Sequence, residues 1–410
     1  MNSIGIELVS ADSRGNPGNA DSYAASISAD GRYVAFDSNA TNLVSGDTNG
    51  TFDIFVRDRQ TKTTTMISID SSSNQMDSDS SFPSISADGC CIVFQSDASP
   101  INMPADSAAG NIFIHILPTG TTDMVTIGPQ GNPGNMGSVF PSLSANGRYV
   151  VFASRATNLV AGVGIIAQSQ ILIRDLQTDT TALVSADSSG NQGNSGSAHQ
   201  SVSADGRYVA FMSNATNLVP GDTNGTFDIF IRDRQTNTTT LISVDSSGNP
   251  GDNESQAPSI SANGRYVAFA SRATNFVSGS ANGNWEIYVR DWQTNSTILL
   301  SVDSNNNPGD GNSMSPSISA DGRYVAFSSY ATNLVSGITK GAWRIYVRDR
   351  LAGVTSVVSL EPTANQNSVD NYFPSISADG HYVAFESCIT DKGNNNNSCR
   401  SHIFVATLPR

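Results

Sequence analysis

The chain has 410 residues, of which 14% are charged, and its formal net charge is −14. An acidic chain of this kind lacks the clustered Lys and Arg that displace counterions from a phosphate backbone, so nucleic acid is excluded as a partner. No stretch approaches the roughly 18 consecutive apolar residues of a membrane-spanning helix, and the short apolar runs belong to an all-β chain, so no membrane insertion is expected.

In chain order, the first predicted strand is Ile6-Glu7-Leu8-Val9-Ser10-Ala11-Asp12, with no basic-then-apolar leader before it. From Ser26 a repeat takes over. The segment Ser-Ile-Ser-Ala-Asp-Gly-Arg-Tyr-Val-Ala-Phe, or a close variant, begins at Ser26, Ser84, Ser142, Ser201, Ser259, Ser317 and Ser375, each start lying 58 or 59 residues after the last. Self-similarity at such a period decides the architecture before any local reading does. In the first copy four strands are predicted: an inner one at Ser26–Ser28, a second at Tyr33–Asp37, a third at Asp53–Arg57 and an outer one at Thr64–Ile69. Asp30-Gly31 forms the tight turn between the first two. Seven such copies predict an all-β, seven-bladed propeller of four-stranded antiparallel blades occupying residues 1–410 as a single domain. The seventh copy runs out after its third strand, His402–Ala406. The N-terminal stretch matches the outer-strand pattern Leu183-Val184-Ser185-Ala186-Asp187, so it is expected to complete the last blade and close the ring without a frayed edge.

The segment Ser-Ala-Asp-Gly-Arg-Tyr-Val-Ala-Phe, followed some twenty residues later by Asp-Ile-Phe-Val-Arg-Asp, resembles the WD40-like repeat of TolB-type propellers, with Ser-Ala-Asp-Gly where that family usually has Ser-Pro-Asp-Gly. The resemblance extends over all seven copies. It implies the propeller fold and leaves the role open, because propellers of this kind serve as protein-docking platforms, peptidase lids, glycan binders and, less often, lyases. The additional N-terminal domain of TolB has no counterpart in these residues.

Where the copies agree, the fold is speaking. Arg32 recurs as Arg148, Arg207, Arg265 and Arg323, and the same copies end their third strand in Asp58, Asp175, Asp233, Asp291 and Asp349. Copy two has Cys90 and Ile116 there and copy seven has His381 and Thr407, so both members vanish together. That predicts a cross-strand Arg–carboxylate pair. His115 stands where the first copy has Arg57, which marks it as a substitution in a structural position; Cys90–Cys91 is a divergent pair of the same kind rather than a redox element.

Where the copies differ, function has room. Three residues before each core Ser stand Tyr23, Ser81, Val139, Ala198, Gln256, Met314 and Tyr372; two before it stand Ala24, Phe82, Phe140, His199, Ala257, Ser315 and Phe373. In a propeller this is the mouth of the central tunnel. Tyr23, Phe82, Phe140, His199, Gln256, Tyr372 and Phe373 are therefore the candidate ligand-binding residues, with Tyr372, Phe373, Tyr23, Phe82 and Phe140 as an aromatic arc. Such an arc stacks sugar rings or receives an apolar protein segment; the alternative is that the three Phe-Pro pairs merely pack between blades.

Two further motifs concern metal and redox chemistry. Asp47, Asn49 and Asp53, and their near-copies Asp222, Asn224 and Asp228, place oxygen side chains around a Gly in a pattern loosely like a calcium loop, against the alternative of an Asn-Gly turn leading into the third strand. Cys388 and Cys399 bracket an Asn-rich loop and are a candidate disulfide.

No nucleophile with a base beside it, no Gly-x-Ser-x-Gly elbow and no acidic dyad accompanies His199. The expected function is thus a non-catalytic recognition or scaffold propeller, monomeric, extracellular or periplasmic, binding a glycan or a protein at the tunnel mouth. Catalysis at the mouth is the alternative. Resemblance to polysaccharide lyases would imply clustered His around a metal, whereas His115, His199, His381 and His402 are spread over copies two, four and seven; resemblance to the cylindrocyclophane-type alkylating propellers would imply a further calcium-binding domain and point to Tyr23 or Tyr372. A purely structural surface module is the third reading, favoured by copies one and four, which differ at six of the 43 residues Ser26–Ser68 and Ser201–Ser243.

Overall fold

The second and third strands of each copy are apolar on both faces, so each sheet needs a covering layer on either side, and a ring of sheets supplies one. The computed structural model describes residues 4–98, 110–161, 168–222, 224–279, 283–338, 341–360, 366–391 and 399–409. These form seven four-stranded antiparallel sheets, the blades. In blade one the strands are Ser22–Ile27, Tyr33–Ser38, Asp53–Asp58 and Thr63–Met66. The outer strand ends earlier than predicted. Ile67 still donates its N–H to Ile54 O, but the chain then turns so that Ile69 bridges Gln75, and the apolar pattern outlasts the ladder.

Closure follows the expected route. Gly5–Leu8 pairs antiparallel with Arg400–Thr407, Gly5 opposite Thr407 and Leu8 opposite Phe404, so the N-terminal strand is the outer strand of blade seven. The hydrophobic core lies between blades. Ile27, Phe36 and Phe55 of blade one pack with Ala384, Ile403 and Val405 of blade seven, while Ala35, Ile54 and Val56, on the opposite face of blade one, pack with Ile92, Phe94 and Phe113 of blade two.

The seams explain the repeat's recurring glycine, tyrosine and charged residues. Gly31 has φ +72°, and a Cβ there would lie 2.2 Å from Cδ2 of Tyr382 in the neighbouring blade, so the turn demands glycine on both counts. The Arg59 guanidinium lies 4.7 Å from the centre of that same Tyr382 ring. The Arg–carboxylate pairs form as expected: Arg32–Asp58 at 2.7 Å, Arg148–Asp175 at 2.6 Å, Arg207–Asp233 at 2.7 Å, Arg265–Asp291 at 2.6 Å and Arg323–Asp349 at 2.7 Å. The guanidinium hydrogen bonds hold Asp58, Asp175 and Asp233 down at a pKa of about 2. Arg57, buried, donates to Asp12 O and Thr64 Oγ1 at 2.9 Å each and so clamps the closing segment to blade one. In blade two His115 replaces it and its Nδ1 meets Thr122 Oγ1 at 2.9 Å. Cys388 and Cys399 are joined in a disulfide, and Cys90 and Cys91 are free thiols.

Candidate channel-mouth site

Each inner strand carries a bulge at its mouth end. Tyr23 opposes Asp37 and Ser26 opposes Ala35, so Ala24 and Ala25 share the single partner Phe36. Equivalent register shifts recur in the other six blades. The first bulged residue takes a left-handed backbone every time: Ala24 (φ 50°), Phe82 (54°), Phe140 (54°), His199 (49°), Ala257 (52°), Ser315 (53°) and Phe373 (48°). For a residue other than glycine this costs about 1–2 kcal/mol. A bulge re-aims side chains, and here it turns the bulged residues inward to line a central space of about 500 Å³.

The rings in this space are grouped. Phe82 meets Phe140 edge-on at 4.8 Å between centroids, and Phe140 stacks on His199 at 5.4 Å with planes 20° apart. His199 is exposed at the mouth, but its neighbours in the channel desolvate it enough to lower its imidazole pKa. Phe373, 57% exposed, belongs to a second group in which Tyr372 lies 5.9 Å from Trp343 and 6.2 Å from Phe373. Tyr23 turns away from both groups to meet Phe52 at 5.8 Å. The predicted arc is thus two ring groups separated by Ala24, with His199 extending the first. Gln256 lines the channel beside Met314.

Sequence reasoning missed the carboxylates behind the rings. Asp37 is opposite Tyr23 in the ladder and Glu386 opposite Tyr372. Asp37 Oδ2 accepts the N–H of the bulged Phe82 at 3.0 Å, as Gln95 Oε1 accepts that of Phe140 at 3.3 Å. Glu386 Oε1 accepts from Ser401 Oγ at 3.1 Å, and Asp21 Oδ1 from Ser401 N–H at 2.9 Å. Burial raises Asp37 to about 6 and Glu386 to about 7; burial and the neighbouring carboxylates push Tyr23 and Tyr372 up to about 12. A signal was present: this second-strand position reads Asp37, Gln95, Ala153, Met212, Ala270, Ser328 and Glu386, as varied as the mouth itself.

The two calcium-like loops lie apart from the channel lining. In blade one Gln75 Nε2 donates to Asp47 Oδ1 and Asp53 Oδ2 at 2.9 Å each, and Asn49 Nδ2 donates to Met76 O at 2.9 Å. In blade four Asn224 Nδ2 donates to Asp228 Oδ2 at 2.8 Å and Ser243 Oγ to Asp228 Oδ1 at 2.6 Å. Among the described residues no group of three or more His, Cys, Asp and Glu side chains is arranged to hold a metal ion.

No family model matches the chain, and no curated protein matches it by sequence. Solved structures share its fold. An oligogalacturonate lyase in complex with manganese aligns at 14% identity and TM-score 0.58 over 100% of this chain and 96% of its own. The β-propeller domain of the trilobed protease from Pyrococcus furiosus aligns at 10% identity and TM-score 0.56 over 94% and 95%. TolB from Acinetobacter baumannii aligns at 19% identity and TM-score 0.41 over 68% of this chain and 54% of TolB, so the chain matches about half of TolB's length. The chain is a seven-bladed β-propeller. At these identities the likeness speaks for the fold alone.

Proposed function

We propose that this propeller, built of WD40-like repeats of the TolB type, is a recognition module that takes up a saccharide at the channel mouth. The observation that carries the reading is the ring of bulged residues: a strained backbone is kept in all seven blades, and what it presents to the channel differs from blade to blade. Phe82, Phe140 and His199 offer a continuous run of ring surface on one arc, and Phe82 is 42% exposed. Sugar rings stack on such faces through their C–H bonds, while Gln256 and Ser315 supply hydrogen-bonding groups on the same wall. The disulfide Cys388–Cys399 favours an oxidising compartment, extracellular or periplasmic, where glycans are met.

A glycan-array experiment on the purified chain, with Phe82→Ala and Phe373→Ala variants in parallel, tests this. Binding to a defined glycan class that both variants weaken at least tenfold supports it; a blank array, or binding indifferent to both, overturns it and moves the function to protein docking. Catalysis is the second reading, favoured by Glu386, which sits at about 7 opposite Tyr372, the range in which a carboxylate serves as general base. Turnover of a bound glycan that Glu386→Gln abolishes would establish it.

A further inference from the structure

Blades one and four carry the same seven-residue sequence at Asp47–Asp53 and Asp222–Asp228, but different side chains reach its carboxylates. In blade one the side-chain amide of Gln75 enters from the following loop. Its Nε2 bridges Asp47 Oδ1 and Asp53 Oδ2 at 2.9 Å each, and its Oε1 accepts the N–H of Thr48 at 3.2 Å. A partly positive NH2 group thus sits between two carboxylates and offsets their repulsion.

The residue of blade four equivalent to Gln75 is Pro250, which has no donor to extend. The backbone around it is the same, since Val244 bridges Pro250 as Ile69 bridges Gln75. The amide is gone, and the residue after it changes from Met76 to Gly251. Asp222 is 5% exposed, and its Oδ1 is buried without a hydrogen-bond partner. Asp228 is fully buried, feels the charge of Asp222, and has the Asn224 amide as the donor to its Oδ2 where Asp53 has that of Gln75. A buried carboxylate oxygen without a partner, close enough to a second buried carboxylate for their charges to interact, is a costly arrangement, and a cation is the group that relieves it.

We propose that blade four binds a hard divalent cation, Ca²⁺ in preference to Mg²⁺, at the place that the Gln75 amide fills in blade one, with Asp222 Oδ1 and Asp228 Oδ2 as its charged ligands. Blade one, with the amide in place, binds none. Calcium is preferred because two carboxylates on an irregular loop suit its variable coordination, whereas magnesium demands near-octahedral geometry at short range. With two charged ligands and the remainder water, the affinity falls on the order of 10⁻⁴–10⁻³ M, that of weak extracellular calcium modules. The inference is independent of what the channel mouth binds.

Calcium chloride, and magnesium chloride in a second arm, are titrated into the chelator-stripped full chain while its melting temperature and the heat of binding are followed. One calcium equivalent and a rise in melting temperature are expected for the wild type. Asp222→Asn should abolish the response. Pro250→Gln installs the amide that blade one already tolerates; it should melt higher than the wild type without calcium and no longer respond to it. Gln75→Pro should gain a second equivalent. A wild type unmoved by calcium, or a Pro250→Gln variant that keeps the full response, overturns the assignment, and an equal response to magnesium overturns the preference.

Discussion

Glu386 is the group at the mouth whose cost can be measured directly. Its carboxyl is 7% exposed and faces the charges of Asp37 and Asp21, and burial foremost lifts its pKa from 4.5 to about 7. A carboxyl whose native pKa exceeds its unfolded one holds a proton more tightly when folded. The native state then binds more protons, and stability falls as pH rises from 4.5 through about 7. At about 1.36 kcal/mol per pH unit, the rise from 4.5 to about 7 corresponds to about 3 kcal/mol of stability lost above neutrality. Glu386→Gln keeps the shape and the acceptor for Ser401 while removing the charge. Urea unfolding followed by circular dichroism should give equal stabilities for wild type and variant near pH ~4, and a variant more stable by about 3 kcal/mol near pH ~8. Parallel curves across that window, or a variant less stable at the alkaline end, would refute the reasoning, because Glu386 would then be a solvated or paired carboxylate.

Other perturbations separate the fold's demands. Gly31 and Gly50 share nearly the same φ, +72° and +68°, but a Cβ at Gly31 strikes Tyr382 at 2.2 Å while one at Gly50 meets nothing within 4 Å. Gly50→Ala should therefore cost about 1–2 kcal/mol and Gly31→Ala about 1–3 kcal/mol more, read from urea midpoints. Arg57→Met removes the donor to Asp12 O and Thr64 Oγ1; leaving the buried side of that clamp unmet costs about 1–3 kcal/mol, and hydrogen exchange at Val9 and Ser10 should accelerate by one to two orders of magnitude, on the order expected from that loss. Reducing Cys388–Cys399, eleven residues apart in sequence, should lower stability by about 2–3 kcal/mol, and the Cys388→Ser, Cys399→Ser double variant should be insensitive to reductant.

The architecture was legible because the fold repeats its demands. Six-residue runs such as Tyr33–Ser38 and Asp53–Asp58 recur with the Asp-Gly turn ahead of the first of them, and the loss of Arg and Asp together in two copies marks them as a pair. The predicted outer strand overruns the observed one by three residues, because Ile67 and Ile69 continue the apolar alternation after the ladder ends at Met66. At the mouth, variation between copies marked the right positions but not their directions. Tyr23 and Tyr372 stand at equivalent places, and one turns to Phe52, just before the third strand of its own blade, and the other to Trp343, just before the third strand of neighbouring blade six, because that is where each finds a ring. The carboxylates behind them escaped notice because opposing Asp37 to Tyr23 requires the register across a bulge, and a bulge breaks the simple alternation by which strand faces are read.

That bulge also separates what the fold needs from what the proposed binding site would need. If a left-handed residue served the backbone alone, glycine would supply it at no steric cost, as it does at Gly31. Yet Ala24, Phe82, Phe140, His199, Ala257, Ser315 and Phe373 all accept the strain, and Pro follows five of them. What glycine lacks is a side chain to present. Around the ring, Phe82, Phe140 and His199 occupy three successive blades, Ala257 and Ser315 the next two, and Phe373 and Ala24 the last pair. The seven-fold scaffold therefore carries ring surface in two groups, Phe82, Phe140 and His199 on one arc and Phe373 with Tyr372 across from it, with the small Ala24, Ala257 and Ser315 between them, so on the proposed reading a sugar ring would lie against one of these two faces.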